Sequence, residues 1–327
     1  MIEQPGRVLR RSSDVPALVA AARTGDPRAV ARLITLVEND DPALAEVAAA
    51  LAPYSGTAQV IGLTGAPGVG KSTTTNELVR ALRAQGRRVG VLAVDPSSPY
   101  SGGAILGDRV RMQDHATDTG VYIRSMSSRG HLGGLASATP QAVRVLEGAG
   151  CEVVLVETVG VGQAEVEVAS LADTTLVLLA PGMGDAIQAF KAGILEIADI
   201  FVVNKADRDG ADATYRDLQG AIALGERAAG DWRPQVIRAV ALRGEGIDDI
   251  LAAIDKHREW LQAHGELTRR RQARAAAEVE AIALATLRAR IGSLRNGTAL
   301  ASLAERVAAG ELDPYAAAHQ LLSGLDA

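Results

Sequence analysis

The chain has 327 residues, of which 47% are hydrophobic and 22% charged, and its formal net charge is −5. These proportions are ordinary for globular proteins, and the acidic balance argues against general nucleic-acid binding. The first 14 residues contain no apolar segment typical of a signal peptide, and no apolar run is long enough to cross a membrane. A single cysteine, Cys151, excludes an internal disulfide, so a cytoplasmic location is expected.

The first part of the chain has a helical pattern. Residues 12–53 carry apolar side chains at helical spacing, and Asp26 and Asp41 each precede a proline. A capping carboxylate followed by proline is typical of a helix start, so two or three N-terminal helices are predicted.

From residue 58 onward, short apolar runs alternate with amphipathic stretches. The runs are VIGLT (60–64), VGVLAV (89–94), VYI (121–123), VVLV (153–156), TLVLLA (175–180), IFVV (200–203) and VIRAVAL (236–242). Apolar strands separated by helices predict an α/β fold, a doubly wound, mostly parallel sheet covered on both faces.

After Gly265 the pattern becomes helical again, with helix breaks near residues 297 and 310. We therefore expect an N-terminal helical extension at 1–56, an α/β domain at 57–262 and a C-terminal helical extension at 263–327. The tail is expected to pack against the main domain or a second copy. A basic cluster at 269–274 is interpreted as a solvated helix face or an oligomer contact.

A glycine-rich loop, GAPGVGKS, lies between the first predicted strand and a helix. It matches G-x-x-x-x-G-K-[ST], whose backbone N–H groups surround phosphates at a helix N-terminus. Lys71 is expected to reach the β and γ phosphates, and Ser72 to bind Mg²⁺. The predicted phosphate-binding residues are Gly65, Ala66, Pro67, Gly68, Val69, Gly70, Lys71, Ser72 and Thr73.

The base is indicated by NKAD at 204–207, directly after a predicted strand. Asp207 is expected to accept hydrogen bonds from N1–H and the exocyclic amine of guanine, a donor pair that adenine lacks. Asn204 is expected to tie this loop to the phosphate loop, and the stem of Lys205 to cover the base. A second base contact is expected from the backbone of Val240 and Ala241, although the serine that GTPases often carry there is missing.

Three carboxylates lie at or after predicted strand ends. Asp95 and Glu157 each follow a strand, and Asp108 lies in a glycine-flanked stretch. Because Mg²⁺ takes few protein carboxylates and keeps several waters, we expect these carboxylates and Ser72 to form its site. Asp108, beside Gly107, is alternatively a helix cap.

Control of hydrolysis is expected in the loop after Glu157. From its place after this strand, Gly160 is expected to donate its backbone N–H to the γ-phosphate. Ras-like proteins place a water-orienting glutamine directly after this glycine, whereas here Val161 follows it and the nearest glutamine is Gln163. Slow turnover, accelerated by a partner or a dimer, is therefore expected. The predicted catalytic residues are Lys71, Asp108, Glu157 and Gly160.

A further candidate segment is PGMGDAIQAFKAGILEIAD at 181–199. Asp185, Gln188 and Lys191 recur every three residues, so on a helix they line one side, either as a functional face or as a solvated one.

The segments GAPGVGKST, VDPSSPYSGGAILGDRVRM, ETVGVGQAE, PGMGDAIQAFKAGILEIAD and NKAD resemble those of the MeaB/ArgK-type P-loop GTPases. That family includes the chaperones of cobalamin-dependent methylmalonyl-CoA mutase. The resemblance covers nearly the whole chain. It implies a homodimer built partly through the C-terminal helices, which uses GTP hydrolysis to gate adenosylcobalamin loading onto the mutase and to protect that enzyme.

The resemblance also assigns roles to single residues. It implies that Asp95, Asp108 and Glu157 are the Mg²⁺-site carboxylates. It further implies that Asp185, Gln188 and Lys191 form a switch coupling nucleotide state to the partner. Two alternatives stay open: a GTPase metallochaperone for another metalloenzyme, and an ATP-dependent small-molecule kinase. The absence of a His- or Cys-rich segment argues against nickel storage, and NKAD argues against ATP.

Overall fold

The computed structural model describes residues 14–95, 115, 117–127, 138–158, 164–182, 194–225, 228, 230–295 and 298–323. Its strands are β1 (Gln59–Thr64), β2 (Val89–Asp95), β3 (Val121–Ser127), β4 (Val153–Thr158), β5 (Thr174–Leu179), β6 (Ile200–Val203) and β7 (Gln235–Arg238). Within this part of the chain they form one seven-stranded sheet in the order β3-β2-β4-β1-β5-β6-β7, with every pair parallel. The predicted doubly wound parallel sheet is confirmed.

The described residues also form helices. In chain order they are α1 (Val15–Arg23), α2 (Pro27–Glu38), α3 (Leu44–Leu51), α4 (Lys71–Ala84), α5 (Thr139–Gly148), α6 (Ala164–Leu171), α7 (Ile194–Ile197), α8 (Ala211–Leu224), α9 (Ile247–Ala263), α10 (Glu266–Arg295), α11 (Thr298–Ala308) and α12 (Pro314–Ser323). None of the described helices is long and apolar enough to cross a membrane.

Alternate strand residues pack into separate hydrophobic clusters on the two faces of the sheet, as the pleat of a strand requires. Val60 and Val154 pack with α1, α2, α3 and α5 on one face. Ile61 and Leu155 pack with α4 and α9 on the other face. The strands β1, β4, β5 and β6 are buried along their whole length, which explains their continuous apolar runs in the sequence.

The N-terminal helices are part of the main core. Asp14 and Asp26 cap α1 and α2 by accepting from Ala17 N at 3.0 Å and from Arg28 N at 2.8 Å. Leu51 of α3 is 2% exposed and packs so closely on α5 that a Cβ on Gly148 would lie 2.4 Å from its Cδ2 atom. Residues 1–56 were expected as an extension, and their described part shares one hydrophobic core with the sheet.

The chain divides into two compact units, Met1–Arg270 and Arg271–Ala327. The second unit contains most of α10, followed by α11 and α12. On α10, the apolar side chains of Val279, Ile282, Leu284 and Leu287 are between 45% and 68% exposed.

The seventh strand is shorter than predicted. The run 236–242 was expected as one strand, but β7 ends at Arg238. Val240 pairs instead with Glu245 in an isolated antiparallel bridge, and residues 241–243 form a 3-10 turn. Gly244 and Gly246, at φ 72° and 80°, supply the left-handed conformations that this reversal needs.

Candidate functional site

The phosphate loop connects the carboxyl end of β1 to the first turn of α4, at the centre of the sheet. Gly65 and Gly70 have φ values of 138° and 101°, which L-residues rarely adopt. A Cβ at Gly65 would lie 2.2 Å from the Leu178 carbonyl oxygen, and one at Gly70 would lie 2.3 Å from Asn204 Nδ2. Both positions therefore require glycine for conformation and for space.

Lys71 lies against the backbone of this loop. Its Nζ donates to the carbonyl oxygens of Gly65 at 2.6 Å and Ala66 at 3.0 Å, and the residue is 7% exposed. The ammonium group is thus held over the loop, at the N-terminus of α4, where the helix dipole also favours an anion. Thr73 follows in the first turn of the same helix.

Glu157 on β4 lies beside α4, one strand away from β1. Ser72 Oγ donates to its Oε1 at 2.6 Å, and Thr75 Oγ1 lies 2.9 Å from its Oε2. Glu157 is 4% exposed. The structure therefore brings Ser72 and Glu157 together, as predicted, and it adds Thr75, which the sequence reasoning missed.

Asn204 joins the base loop to two other segments. Its Nδ2 donates to the Val69 carbonyl oxygen at 2.8 Å, and its Oδ1 accepts from Ala241 N at 3.0 Å. Lys205, at φ 56°, donates through Nζ to the Gly68 carbonyl oxygen at 2.6 Å. The NKAD loop, the phosphate loop and the turn after β7 therefore form one hydrogen-bonded unit.

Asp207 lies at the rim of this unit and is paired with Arg243. Their closest charged atoms, Oδ2 and Nη2, are 3.6 Å apart, and both side chains are partly exposed. Arg243 also contacts Glu245 at 2.9 Å. Arg243 was not among the residues predicted from the sequence, although it lies two positions after Ala241 in the same turn.

Several predicted residues cannot be placed in this arrangement. Asp95 ends β2 beside β4, where Val94 pairs with Thr158, but its side chain lies outside the described residues. Five other predicted residues lie entirely outside the described part of the chain: Asp108, Gly160, Asp185, Gln188 and Lys191.

A second polar cluster lies at the opposite, amino-terminal edge of the sheet. Arg270 makes two hydrogen bonds of 2.9 Å to the carboxylate of Asp199, which immediately precedes β6. Arg270 is thus not simply part of a solvated basic face. His257 is fully buried. Its Nε2 atom lies 3.3 Å from Asp199 Oδ1, and its Nδ1 atom lies 3.0 Å from Thr174 Oγ1.

Burial decides the charge of His257. Removal from water lowers its pKa from 6.5 to about 4, with Arg270 adding to the effect, while Asp199 and Asp173 act in the opposite direction. The imidazole is therefore neutral at neutral pH. This cluster anchors the start of α10 to the sheet and lies away from the phosphate loop.

Comparisons with known proteins agree with this geometry. The family model described as methylmalonyl Co-A mutase-associated GTPase MeaB matches residues 30–295. A relative from Pyrococcus abyssi that carries a GTPase name is 47% identical over 309 residues, spanning 93% of this chain and 95% of the relative. GTPase ArgK of Escherichia coli is 41% identical over 257 residues, spanning 76% and 78%.

Two further likenesses extend the comparison. The mouse protein named methylmalonic aciduria type A homolog, mitochondrial, is 42% identical over 215 residues, spanning 65% of this chain and 52% of that protein. The crystal structure titled LAO/AO transport system kinase superposes with a TM-score of 0.71 at 29% identity, covering 98% of this chain and 100% of that one. With the phosphate loop and the NKAD loop joined at one edge of a parallel sheet, this chain belongs to the MeaB/ArgK family of P-loop GTPases and is a GTP-hydrolysing enzyme.

Proposed function

We propose that GTP hydrolysis by this chain gates the loading of a cobalamin cofactor onto methylmalonyl-CoA mutase, or a related acyl-CoA mutase, and protects that enzyme. The observation that carries the proposal is the family match over residues 30–295, because the description of that family names association with the mutase. The name of the mouse relative, which refers to methylmalonic aciduria, points to the same metabolism.

The nucleotide is proposed to lie across the joined loops. Its phosphates bind the backbone of residues 65–73, with Lys71 on the β and γ phosphates. Asp207 reads guanine, the stem of Lys205 covers the base, and the backbone of Val240 and Ala241 approaches its edge. The support is that Asn204 hydrogen-bonds to both neighbouring segments.

The described side chains fit Mg²⁺. Glu157 and Ser72 present oxygen atoms 2.6 Å apart at the end of the phosphate loop, and hard cations prefer oxygen ligands. We propose Ser72, Asp95, Asp108 and Glu157 as the residues that hold the ion directly or through water. Bound there, Mg²⁺ would neutralise charge on the β and γ phosphates.

Regulation is proposed to follow from the loop at Gly160. Its N–H would sense the γ-phosphate. Ras-like proteins have a water-orienting glutamine at the next position, whereas this chain has Val161, so intrinsic turnover is expected to be slow. Asp185, Gln188 and Lys191 are proposed to couple nucleotide state to the mutase.

The chain is proposed to form a homodimer through its C-terminal helices. Val279, Ile282, Leu284 and Leu287 of α10 are exposed apolar side chains, which a second copy would cover.

Affinity capture tests the proposal. The tagged chain, loaded with GDP or a non-hydrolysable GTP analogue, is used to capture proteins from the native extract. We expect a cobalamin-dependent acyl-CoA mutase whose yield depends on the nucleotide. An Asp207→Asn chain, with its base recognition removed, serves as control and should lose that dependence.

Other capture results would contradict the mutase assignment. Capture of a different metalloenzyme would favour the alternative metallochaperone function. Capture of no mutase, together with a preference for ATP and phosphorylation of a small molecule, would favour the kinase alternative.

A further inference from the structure

Thr75 lies in the second turn of α4 and is completely buried. Its Oγ1 atom is 2.9 Å from Glu157 Oε2 and 3.0 Å from the carbonyl oxygen of Lys71. Ser72, three residues earlier, donates to the other carboxylate oxygen, Oε1, at 2.6 Å. Residues three apart share a helix face, so α4 presents two hydroxyl groups to one carboxylate.

The Thr75 hydroxyl has a single proton and two acceptors within reach. A hydroxyl can donate to only one of them at a time. The carboxylate is the stronger acceptor, because hydrogen bonds to a charged group exceed those to a neutral carbonyl. The geometry therefore favours donation to Glu157, so that Ser72 and Thr75 bind different oxygens of the same carboxylate.

The hydrogen bond from Thr75 matters because the glutamate side chain is long. Glutamate has one more rotatable bond than aspartate, so more contacts are needed to fix the orientation of its carboxylate. A second hydrogen bond at Oε2 fixes its plane. The carboxylate is also 4% exposed, so water does little to replace a lost donor.

We propose that Thr75 is a positioning residue that holds the Glu157 carboxylate toward Ser72 and so sets the affinity of the nucleotide site for Mg²⁺. This inference rests on the proposed role of Glu157 at that ion. In this proposal Thr75 contacts Glu157 and not the nucleotide or the metal. Its effect would appear as an altered Mg²⁺ requirement, with the binding of nucleotide in the absence of Mg²⁺ preserved.

The test uses Thr75→Val, which keeps the shape of the side chain and removes the hydroxyl. The dissociation rate of fluorescent GDP is measured across a Mg²⁺ titration and in excess chelator. We expect the half-effective Mg²⁺ concentration to rise roughly tenfold, the size expected for one lost hydrogen bond to a charged group. The rate in chelator should stay unchanged, and Thr75→Ser should restore the normal requirement.

Thr74→Val is the matched control. Thr74 is equally buried on the same helix, but its Oγ1 donates to the Gly70 carbonyl oxygen at 3.0 Å. Its loss should leave the Mg²⁺ requirement as in the unaltered chain. Thermal unfolding checks that all variants fold, and Thr75→Ala replaces Thr75→Val if the valine variant does not.

Glu157→Gln separates failure of this inference from failure of the proposed Mg²⁺ site. If Glu157→Gln raises the Mg²⁺ requirement and Thr75→Val does not, the positioning role of Thr75 is overturned. If neither variant changes the requirement, the assignment of Glu157 to the Mg²⁺ site fails, and the inference about Thr75 fails with it.

Discussion

Asn204 and Val69 connect the base loop to the phosphate loop through one hydrogen bond of 2.8 Å, from Asn204 Nδ2 to the Val69 carbonyl oxygen. The other end of the same amide accepts from Ala241 N at 3.0 Å. Because Asn204 is 3% exposed, water cannot readily replace either bond. One side chain therefore fixes the spacing of the two loops that are proposed to hold the ends of the nucleotide.

Asn204→Ala is expected to weaken binding of both GTP and GDP and to lower the free energy of unfolding by roughly 2–4 kcal/mol, since two buried backbone groups lose their partners. Calorimetric titration and thermal unfolding measure the two effects. Gln219→Ala, which removes an exposed hydrogen bond to Tyr215, is the control and should change neither quantity appreciably. Unaltered nucleotide affinity in Asn204→Ala would show that the loops hold their spacing without this amide.

Gly65→Ala is expected to abolish nucleotide binding, because its Cβ would lie 2.2 Å from the Leu178 carbonyl oxygen and would force the loop to move. Gly86→Ala is the matched control. Gly86 also has a positive φ, 78°, but no atom within 4 Å of its added Cβ. It should cost only about 1–2 kcal/mol of stability, the price of a left-handed L-residue, and should keep nucleotide affinity. Equal effects of the two variants on GDP binding would contradict the steric argument.

Asp207→Asn is expected to weaken GTP binding and to improve binding of xanthosine triphosphate. The aspartate carboxylate has two acceptor oxygens, whereas the asparagine amide has one acceptor oxygen and one NH₂ donor. That donor can bind the carbonyl oxygen that xanthine carries in place of the exocyclic amine of guanine. Competition against a fluorescent guanine nucleotide measures the change in selectivity. Asp209→Asn, two residues further along the chain, should keep guanine selectivity. The same preference for guanine in Asp207→Asn and in the unaltered chain would rule out Asp207 as the base reader.

His257 is expected to make the fold less stable in acid. Its folded pKa of about 4 lies below the ordinary value of 6.5, so between those pH values the unfolded chain binds more protons than the folded chain. The free energy of unfolding should therefore fall as the pH is lowered from 6.5 to 4, by on the order of 3 kcal/mol from this residue. Well above pH 6.5 the imidazole is neutral in both states and contributes no pH dependence.

Denaturant unfolding at several pH values checks this prediction. His257→Gln should show a flatter loss of stability between pH 6.5 and 4 than the unaltered chain. His264→Gln, at an exposed histidine outside this cluster, is the control for the substitution itself. A His257→Gln slope identical to that of the unaltered chain would mean that His257 titrates normally in the folded state.

Much of the fold was predictable because its central strands are buried on both faces and therefore appear as apolar runs. The exception is the run at 236–242, in which Val240 and Ala241 are buried although they lie beyond β7. Apolar composition alone does not separate a buried strand from a buried turn. The left-handed glycines at 244 and 246, which direct the chain back, were the overlooked signal.

The site was predictable where its residues follow strands, since the carboxyl ends of parallel strands meet at one edge. The structure joins Ser72 to Glu157 and Asn204 to the phosphate loop, as this reasoning expected. It could not find Thr75, whose contact with Glu157 joins residues 82 positions apart and depends on how α4 rotates against the sheet. The ion pair of Arg270 could not be predicted for the same reason, because its partner, Asp199, is 71 positions away.

The most direct test of the proposed function is the rate of GTP hydrolysis by the purified chain with and without a cobalamin-dependent acyl-CoA mutase from the same cells. We expect slow turnover alone and a severalfold increase as the mutase approaches saturation, with a complex that co-elutes in size-exclusion chromatography. An unchanged rate and separate elution with each acyl-CoA mutase of those cells would contradict the proposal that this GTPase serves such an enzyme.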